Sequence, residues 1–324
     1  MVEYNINTEG KAIVAAFPSQ VSGRTFLITG PSQGGVGAET AISLADASPS
    51  TLILLGRDLT KIQPTIDAIK AINSSILVKY IPVDLASLTS VRAVAIAILD
   101  DSTIPKIDVM INNGAIMAAP YSLTTDGYES HFQINYLSHF LLTNLLLPKL
   151  LMASPPARIL NVSSAGHSVS DVRYESTDFE KGTKYVPWFA YGQSKTACIL
   201  FSVELNRRFK ESGCKVRAFS PTPGAVDTGL QRFVTKEMRE EGMKVWIASG
   251  KAAPVRKSLQ QGCATYLRAS LDPALVDQDL VFLSDCVPTD NPEELSAYAV
   301  DAENAKKCWA LSEEMVGEKF DLKL

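Results

Sequence analysis

From Thr25 onward, short unbroken runs of Ile, Leu and Val alternate with longer segments whose apolar residues recur every three or four positions. The apolar runs predict strands over 25–29, 51–55, 76–82, 107–112, 158–163, 215–220 and 280–284. The 3.6-residue period predicts helices over 36–47, 59–73, 88–99, 127–153, 189–212 and 257–269. Strands without polar alternation are buried on both faces, and helical crossovers make successive strands parallel. The expected fold is α/β: a doubly wound, seven-stranded parallel sheet with helices on both faces, one domain over 24–324. Residues 1–23 read as an N-terminal extension. Residues 229–255, rich in charge and Met, read equally as a substrate flap behind the sixth strand or as an ordinary surface helix.

Composition narrows the function classes. The chain has 324 residues, 46% hydrophobic and 20% charged, the balance of a globular protein with a sizeable core. A net charge of -4 supplies no basic field, which argues against a nucleic-acid partner. The five cysteines are scattered, with no C-x-x-C pair, so neither a disulfide framework nor a zinc site is expected, and a reducing, cytoplasmic setting fits. No carboxylate pair or His/Cys cluster suggests a metal. The start of the chain carries Glu3 and polar residues where a signal peptide needs a basic start and an apolar run. His139, Asn144, Pro148 and Lys149 interrupt the most apolar segment, which therefore reads as a buried helix and not as a transmembrane segment.

The first strand runs into Gly30-Pro31-Ser32-Gln33-Gly34-Gly35-Val36-Gly37 and then a helix. Glycines between a first strand and a first helix allow close backbone approach to a pyrophosphate, which the helix N-terminus attracts. This makes the sheet a Rossmann-type candidate, with Gly30, Ser32, Gly35 and Val36 as cofactor contacts. The second strand ends at Arg57. Its guanidinium matches a ribose 2′-phosphate in charge and geometry, with Lys61 one turn on, so NADP is the expected cofactor. The alternative is that Arg57 simply caps or solvates the next helix. Asp58 keeps NAD as the alternative, through the ribose 2′-OH, unless it merely caps that helix.

Tyr191 and Lys195 stand four apart in a predicted helix, hence on one face. A free phenol titrates near pH ~10, and an adjacent ammonium stabilises its anion, which would make Tyr191 a usable acid or base. The spacing alone is common by chance and also fits a solvated helix face.

These segments, with others in matching order, resemble the short-chain dehydrogenase/reductase family over about 260 residues. Val83-Asp84-Leu85 resembles its adenine-side contact, and Asn112-Asn113-Gly114-Ala115 its Asn-Asn-Ala-Gly turn. Asn135 sits where the family carries a helical asparagine, Asn161-Val-Ser-Ser164 ends the fifth strand where it keeps a serine, and Pro221-Thr-Pro223-Gly224-Ala-Val226-Asp-Thr228 resembles its nicotinamide-holding segment. The long stretch from Ser164 to Tyr191 and the tail beginning Trp309-Ala-Leu-Ser resemble the retinol-dehydrogenase-like branch, fungal oxidoreductases of that kind in particular. The glycine turn has one residue more than the family's, which should bulge the loop and spare the helix end. The Gly114-Ala115 order is reversed, so Ala115 should need a backbone shape usual for glycine.

The resemblance implies an NADP(H)-dependent oxidoreductase that interconverts a carbonyl and an alcohol on an apolar small molecule. Tyr191 would exchange the proton, Lys195 hold the nicotinamide ribose and lower the phenol's pKa, Ser164 polarise the substrate oxygen, and Asn135 order a water. Strand alternation leaves Ser163 or Ser164 open, and the resemblance favours Ser164. Asp84, Leu85, Asn112, Pro223, Val226 and Thr228 would complete the cofactor contacts. Met117 and Trp188 are candidates for an apolar substrate wall, or for core packing. His131, His139 and His167 have no evident chemical part. A homodimer through the 127–153 and 189–212 helices is implied as well. A non-catalytic dinucleotide-binding sensor or scaffold is the alternative from another class.

Overall fold

A computed structural model describes residues 3–248 and 253–321. The Ile/Leu/Val runs become the strands β1 (Thr25–Thr29), β2 (Thr51–Gly56), β3 (Leu77–Pro82), β4 (Val109–Asn112), β5 (Arg158–Asn161) and β6 (Arg217–Pro221). A two-residue pair follows, β7 (Ala225–Val226) and β8 (Arg256–Lys257), and then β9 (Phe282–Ser284) and β10 (Val287–Pro288). The main sheet has the order β10-β9-β6-β5-β4-β1-β2-β3, parallel throughout except for β10. It therefore holds eight strands rather than the seven expected. The extra one is two residues long and follows a turn in which Asp285 and Cys286 take left-handed φ of 49° and 67°, too short to leave an apolar run. Every residue of β1, β4 and β5 is buried, and β3, at the edge, is not.

The helices are α1 (Gly10–Ala16), α2 (Val36–Ala45), α3 (Leu59–Ile72), α4 (Leu88–Asp100), α5 (Ser130–Phe132), α6 (Ser138–Leu145), α7 (Leu147–Leu151), α8 (Pro187–Glu211), α9 (Lys236–Ala248), α10 (Leu259–Leu271) and α11 (Ala302–Val316). Two apolar clusters fill the two faces of the sheet, one under α4, α6, α8 and α11, the other under α1, α2, α3 and α10.

The structure adds to three of these expectations. Residues 3–23 of the N-terminal extension pack on the domain: α1 lies on α2 and α10 with Ile13 and Val14 buried, and a Cβ on Gly10 would strike Cys263. The helix expected over 127–153 is broken into α5, a π-turn Gln133–Leu137, α6 and α7, with Pro148 restarting the last piece. Third, α11 of the same chain packs on the α6 and α8 helices that were expected to meet a second copy. Trp309 packs edge-on to Phe140 at 4.9 Å and against Phe201 at 5.8 Å, with the Arg208 guanidinium 4.0 Å from its ring. Ser312 meets the buried Tyr136 hydroxyl at 2.5 Å. No helix is predicted over α11 from the sequence, although its buried residues Ala305, Cys308, Trp309, Ser312 and Val316 do recur at helical spacing.

Trp309 is the largest fully buried side chain, and its indole N–H has no partner among the described residues. Trp309→Ala is expected to lose about 3–5 kcal/mol in urea unfolding, and Trp309→Phe far less, since Phe keeps most of the volume and removes the unpaired donor.

Candidate active site

The carboxyl ends of the strands open on one cavity of about 1170 Å³. That exceeds the 300–1,000 Å³ of an ordinary small-molecule site and leaves room for two ligands end to end. Its floor is the glycine turn. The inserted residue is absorbed as expected: Gly34 bulges with φ +73°, Gly35 N–H donates to Ser32 O at 3.0 Å, and α2 begins at Val36. Gly30 is left-handed at φ +68°, and a Cβ there would lie 2.7 Å from Gly114 Cα. A Cβ on Gly37 would collide with the Asn113 amide, and one on Gly114 would lie 2.8 Å from Leu85 Cδ1. The strand ends are thus drawn together to a distance only glycine allows. Ala115 carries no such demand: the left-handed non-glycine residue of this loop is Ala118, at φ 50°, so the expected strain falls three positions later.

Most of the expected cofactor contacts line this cavity: Gly30, Ser32, Gly35, Val36, Arg57, Lys61, Asp84, Leu85, Pro223, Val226 and Thr228. Asn112 does not. Its amide is buried between β4, β5 and α6, donating to Asn161 Oδ1 and Thr143 Oγ1, both at 2.9 Å. The next residue faces the cavity instead, and Asn113 Nδ2 donates to the carbonyls of Thr29 (2.9 Å) and Gly30 (3.2 Å). Asp58, the alternative ribose ligand, caps α3 by accepting from Thr60 N at 2.9 Å and Thr60 Oγ1 at 2.6 Å, and this hydrogen bonding holds its carboxyl below the usual range.

Tyr191 and Lys195 reach the opposite end of the cavity from α8, whose first turn is started by Pro187. The turn after β5, Ala165–Val169, lies directly on this helix. A Cβ on Gly192 would stand 2.8 Å from Gly166 O, and one on Gly166 would stand 3.0 Å from the Tyr191 ring. Two glycines facing each other bring Ser164 beside Tyr191. Ser163 turns away, its hydroxyl donating to Lys195 O at 2.8 Å, so the two serines do take opposite faces. Ser164 Oγ accepts from Gly166 N at 3.0 Å and hydrogen-bonds the Tyr191 phenol.

Both groups on α8 are buried, Tyr191 at 6% exposure and Lys195 at 3%. Burial raises the phenol to about 12, with the Ser164 hydrogen bond opposing the rise, and lowers the lysine. The expectation of a depressed phenol pKa is therefore reversed in this arrangement. The Lys195 ammonium donates to Val162 O at 2.9 Å and stands 5.8 Å from the centre of the tyrosine ring.

Asn135 lies within the π-turn, behind the cavity wall. Its amide holds both backbone groups of Ile116, at 2.8 and 3.0 Å, and donates to Ser194 Oγ, which in turn donates to Tyr191 O. The Asn135 carbonyl meets His139 Nδ1 at 3.0 Å. A carbonyl only accepts, so Nδ1 carries the proton, and Nε2 accepts from Thr29 Oγ1 at 2.9 Å. The Thr29 hydroxyl takes the amides of Asn113 and Gly114. A neutral histidine thus ties the π-turn to the glycine floor, and burial lowers its pKa to about 4.

The other histidines are structural. His167 Nδ1 faces Ser164 O at 2.7 Å and its Nε2 accepts from Ser296 N, while His131 packs edge-on to the Tyr191 ring with Glu129 2.9 Å from its Nδ1.

An apolar wall completes the site. Met117, Val169 and Trp188 face Met243 and Trp246 of the flap, and Gly242 of α9 sits where any Cβ would strike the Trp188 indole. The flap consists of a 3-10 turn Gly229–Phe233 and α9, none of whose residues is buried, and returns through β8 to pair with β7. Positions 249–252 of it lie outside the described residues. Among the described residues no group of His, Cys, Asp or Glu could hold a metal ion, and no helix is long and apolar enough to cross a membrane.

The family model described as short chain dehydrogenase matches residues 24–239. The short-chain dehydrogenase/reductase prx1 of Penicillium roqueforti is 38% identical over 303 residues, covering 90% of this chain and 85% of its own. Retinol dehydrogenase 12 of Mus musculus is 34% identical over 304 residues, covering 93% and 89%. The crystal structure of an uncharacterized protein from Mycobacterium paratuberculosis superposes with a TM-score of 0.72 at 31% identity, covering 95% of this chain and 98% of the other.

His139 gives the fold a pH dependence. Its folded pKa is depressed from 6.5 to about 4, so its contribution is complete above pH ~6.5 and is lost as pH falls through that window, at roughly 1.4 kcal/mol per unit. In urea unfolding at pH 7.5 and pH 5, the stability advantage of the wild type over His139→Gln is expected to shrink at the lower pH.

Proposed function

The chain belongs to the short-chain dehydrogenase/reductase family, in its retinol-dehydrogenase-like branch, and from that premise we propose an NADP(H)-dependent oxidoreductase that interconverts a carbonyl and an alcohol on an apolar small molecule. The observation that carries this reading is the convergence of Tyr191, Ser164 and Lys195 on the end of the cavity that has an apolar wall. The glycine floor, whose strand ends are drawn together in front of the N-terminus of α2, fits a dinucleotide lying across it. Gly30, Ser32, Gly35, Val36, Asp84 and Leu85 would hold its phosphates and adenosine, and Pro223, Val226 and Thr228 its nicotinamide end. Arg57, with no carboxylate in ion-pair range among the described residues, favours the 2′-phosphate, whereas the capping duty of Asp58 disfavours NAD.

The nicotinamide, when bound, supplies or accepts the hydride. The chain's own residues manage the oxygen and its proton. Ser164 donates to the substrate oxygen, and Tyr191 delivers the proton to it on reduction or takes it up on oxidation. A phenol held near 12 stays protonated across the neutral range, the right starting state for a donor. Lys195 then acts on the phenolate as it forms. At an effective dielectric of ~20, a unit charge at ~6 Å is worth roughly 3 kcal/mol, comparable to the rise that burial imposes. Lys195 also holds the nicotinamide ribose in this reading, and Asn135 steadies the helix that carries Tyr191, with an ordered water linking it to Lys195. Because α11 covers α6 and α8, the working unit at that face is the single chain, set in the cytoplasm. A complete reacting set weighs against a scaffold that only senses the dinucleotide.

Tyr191→Phe is expected to lower kcat by about 10²–10⁴ while the Kd for NADPH changes less than twofold. Wild-type reduction should stay flat over neutral pH, whereas alcohol oxidation should climb with pH, since the base form of so high a phenol is scarce. Steady-state rates with both cofactors check this, and a clear preference for NADH would remove the part given to Arg57.

A further inference from the structure

Resting on the NADP reading, we propose that Arg232, on the flap, is a second ligand of the cofactor's 2′-phosphate, closing on it from the side opposite Arg57. Arg57 stands at the end of β2, and Arg232 follows β6 within the turn Gly229–Phe233. In the sheet these strands are four steps apart, roughly 19 Å at ~4.8 Å per step. Both side chains nevertheless line the same cavity, so the flap recrosses the groove to bring its guanidinium back over the adenosine side. The two are close enough that Arg57, after burial, lowers the pKa of Arg232.

Two like charges drawn together without a counter-ion call for an anion between them. Of the other cations lining the cavity, Lys61 pairs with Asp58, Arg256 with Asp227 and Lys257 with Asp285, while Arg239 donates to Gln231 Oε1 at 3.3 Å and Lys195 to Val162 O at 2.9 Å. Arg57 and Arg232 have none in ion-pair range among the described residues. Arg232 Nη1 donates only to Gly229 O, at 3.2 Å, and its guanidinium lies 4.6 Å from the Phe233 ring, an orientation that leaves the rest of the fork for a ligand. A phosphomonoester dianion has the charge and the oxygens to meet two guanidinium forks at once. The same residues explain how the flap would register the cofactor: one of its own side chains completes the phosphate site, while its Met243 and Trp246 face the substrate wall.

Calorimetric titration of the full chain with 2′,5′-ADP and with 5′-ADP tests this, since only the first carries the 2′-phosphate. Arg232→Gln should weaken 2′,5′-ADP roughly tenfold and leave 5′-ADP within about twofold, and Arg232→Lys should recover part of the loss. An unchanged affinity for 2′,5′-ADP would overturn the proposal, as would an equal loss for both ligands, which would place Arg232 on the 5′ phosphates. Wild-type discrimination separates the two levels. If the wild type prefers 2′,5′-ADP and Arg232→Gln keeps that preference, only Arg232 was misassigned. If the wild type shows no preference, the NADP reading itself fails and this proposal with it.

Discussion

The contact between Gly166 and Gly192 governs the geometry of the site. An ordinary side chain at either position would hold the turn after β5 away from α8. With hydrogen atoms alone at the interface, Ser164 sits beside Tyr191, and the phenol and the Lys195 ammonium are carried into the protein. Their burial has opposite consequences for the two groups: the phenol is held in its neutral form, and the ammonium loses part of its preference for the charged one. In the proposed reaction the pair is therefore less a pre-ionised base than a protonated donor backed by a charge that matters when the proton leaves.

That arrangement is held from behind by polar groups rather than by packing alone. Asn135, Ser194, His139 and Thr29 form a chain from the backbone of Tyr191 to the loop that bears Asn113 and Gly114. The π-turn around Asn135 turns its carbonyl toward this chain, a local irregularity of the kind that marks functional helices. In front, α9 of the flap contributes no buried residue. Under the proposed function, a hydrogen-bonded end that handles the proton would face a lightly anchored apolar wall, which suits one chemistry applied to substrates chosen by the flap.

The sheet was legible from the sequence because a parallel strand buried on both faces leaves an uninterrupted Ile/Leu/Val run. The α11 helix was passed over although its buried stripe, Ala305, Cys308, Trp309, Ser312 and Val316, has helical spacing, because small residues and a serine make up most of it beside a charged exterior. Tyr191 and Lys195 were singled out by spacing and Ser164 by the resemblance, and all three line the cavity. Asn112 was chosen over Asn113 because a motif names positions without saying which face each takes; alternation along β4 was the available signal. Arg232 was missed for a different reason. Its relation to Arg57 exists only once the flap recrosses the sheet, and no local pattern encodes that return.

The central claim, that this chain passes a hydride to a carbonyl carbon while Tyr191 protonates the oxygen, is tested most directly by isotope tracing. NADPH deuterated at nicotinamide C4 would be incubated with a panel of apolar aldehydes and ketones, and the products examined by mass spectrometry. The account predicts deuterium on the carbinol carbon of at least one product with the wild type, and none above background with Tyr191→Phe. Deuterated alcohol formed equally well by the variant, or no transfer to any member of the panel by a chain that binds NADPH, would contradict it.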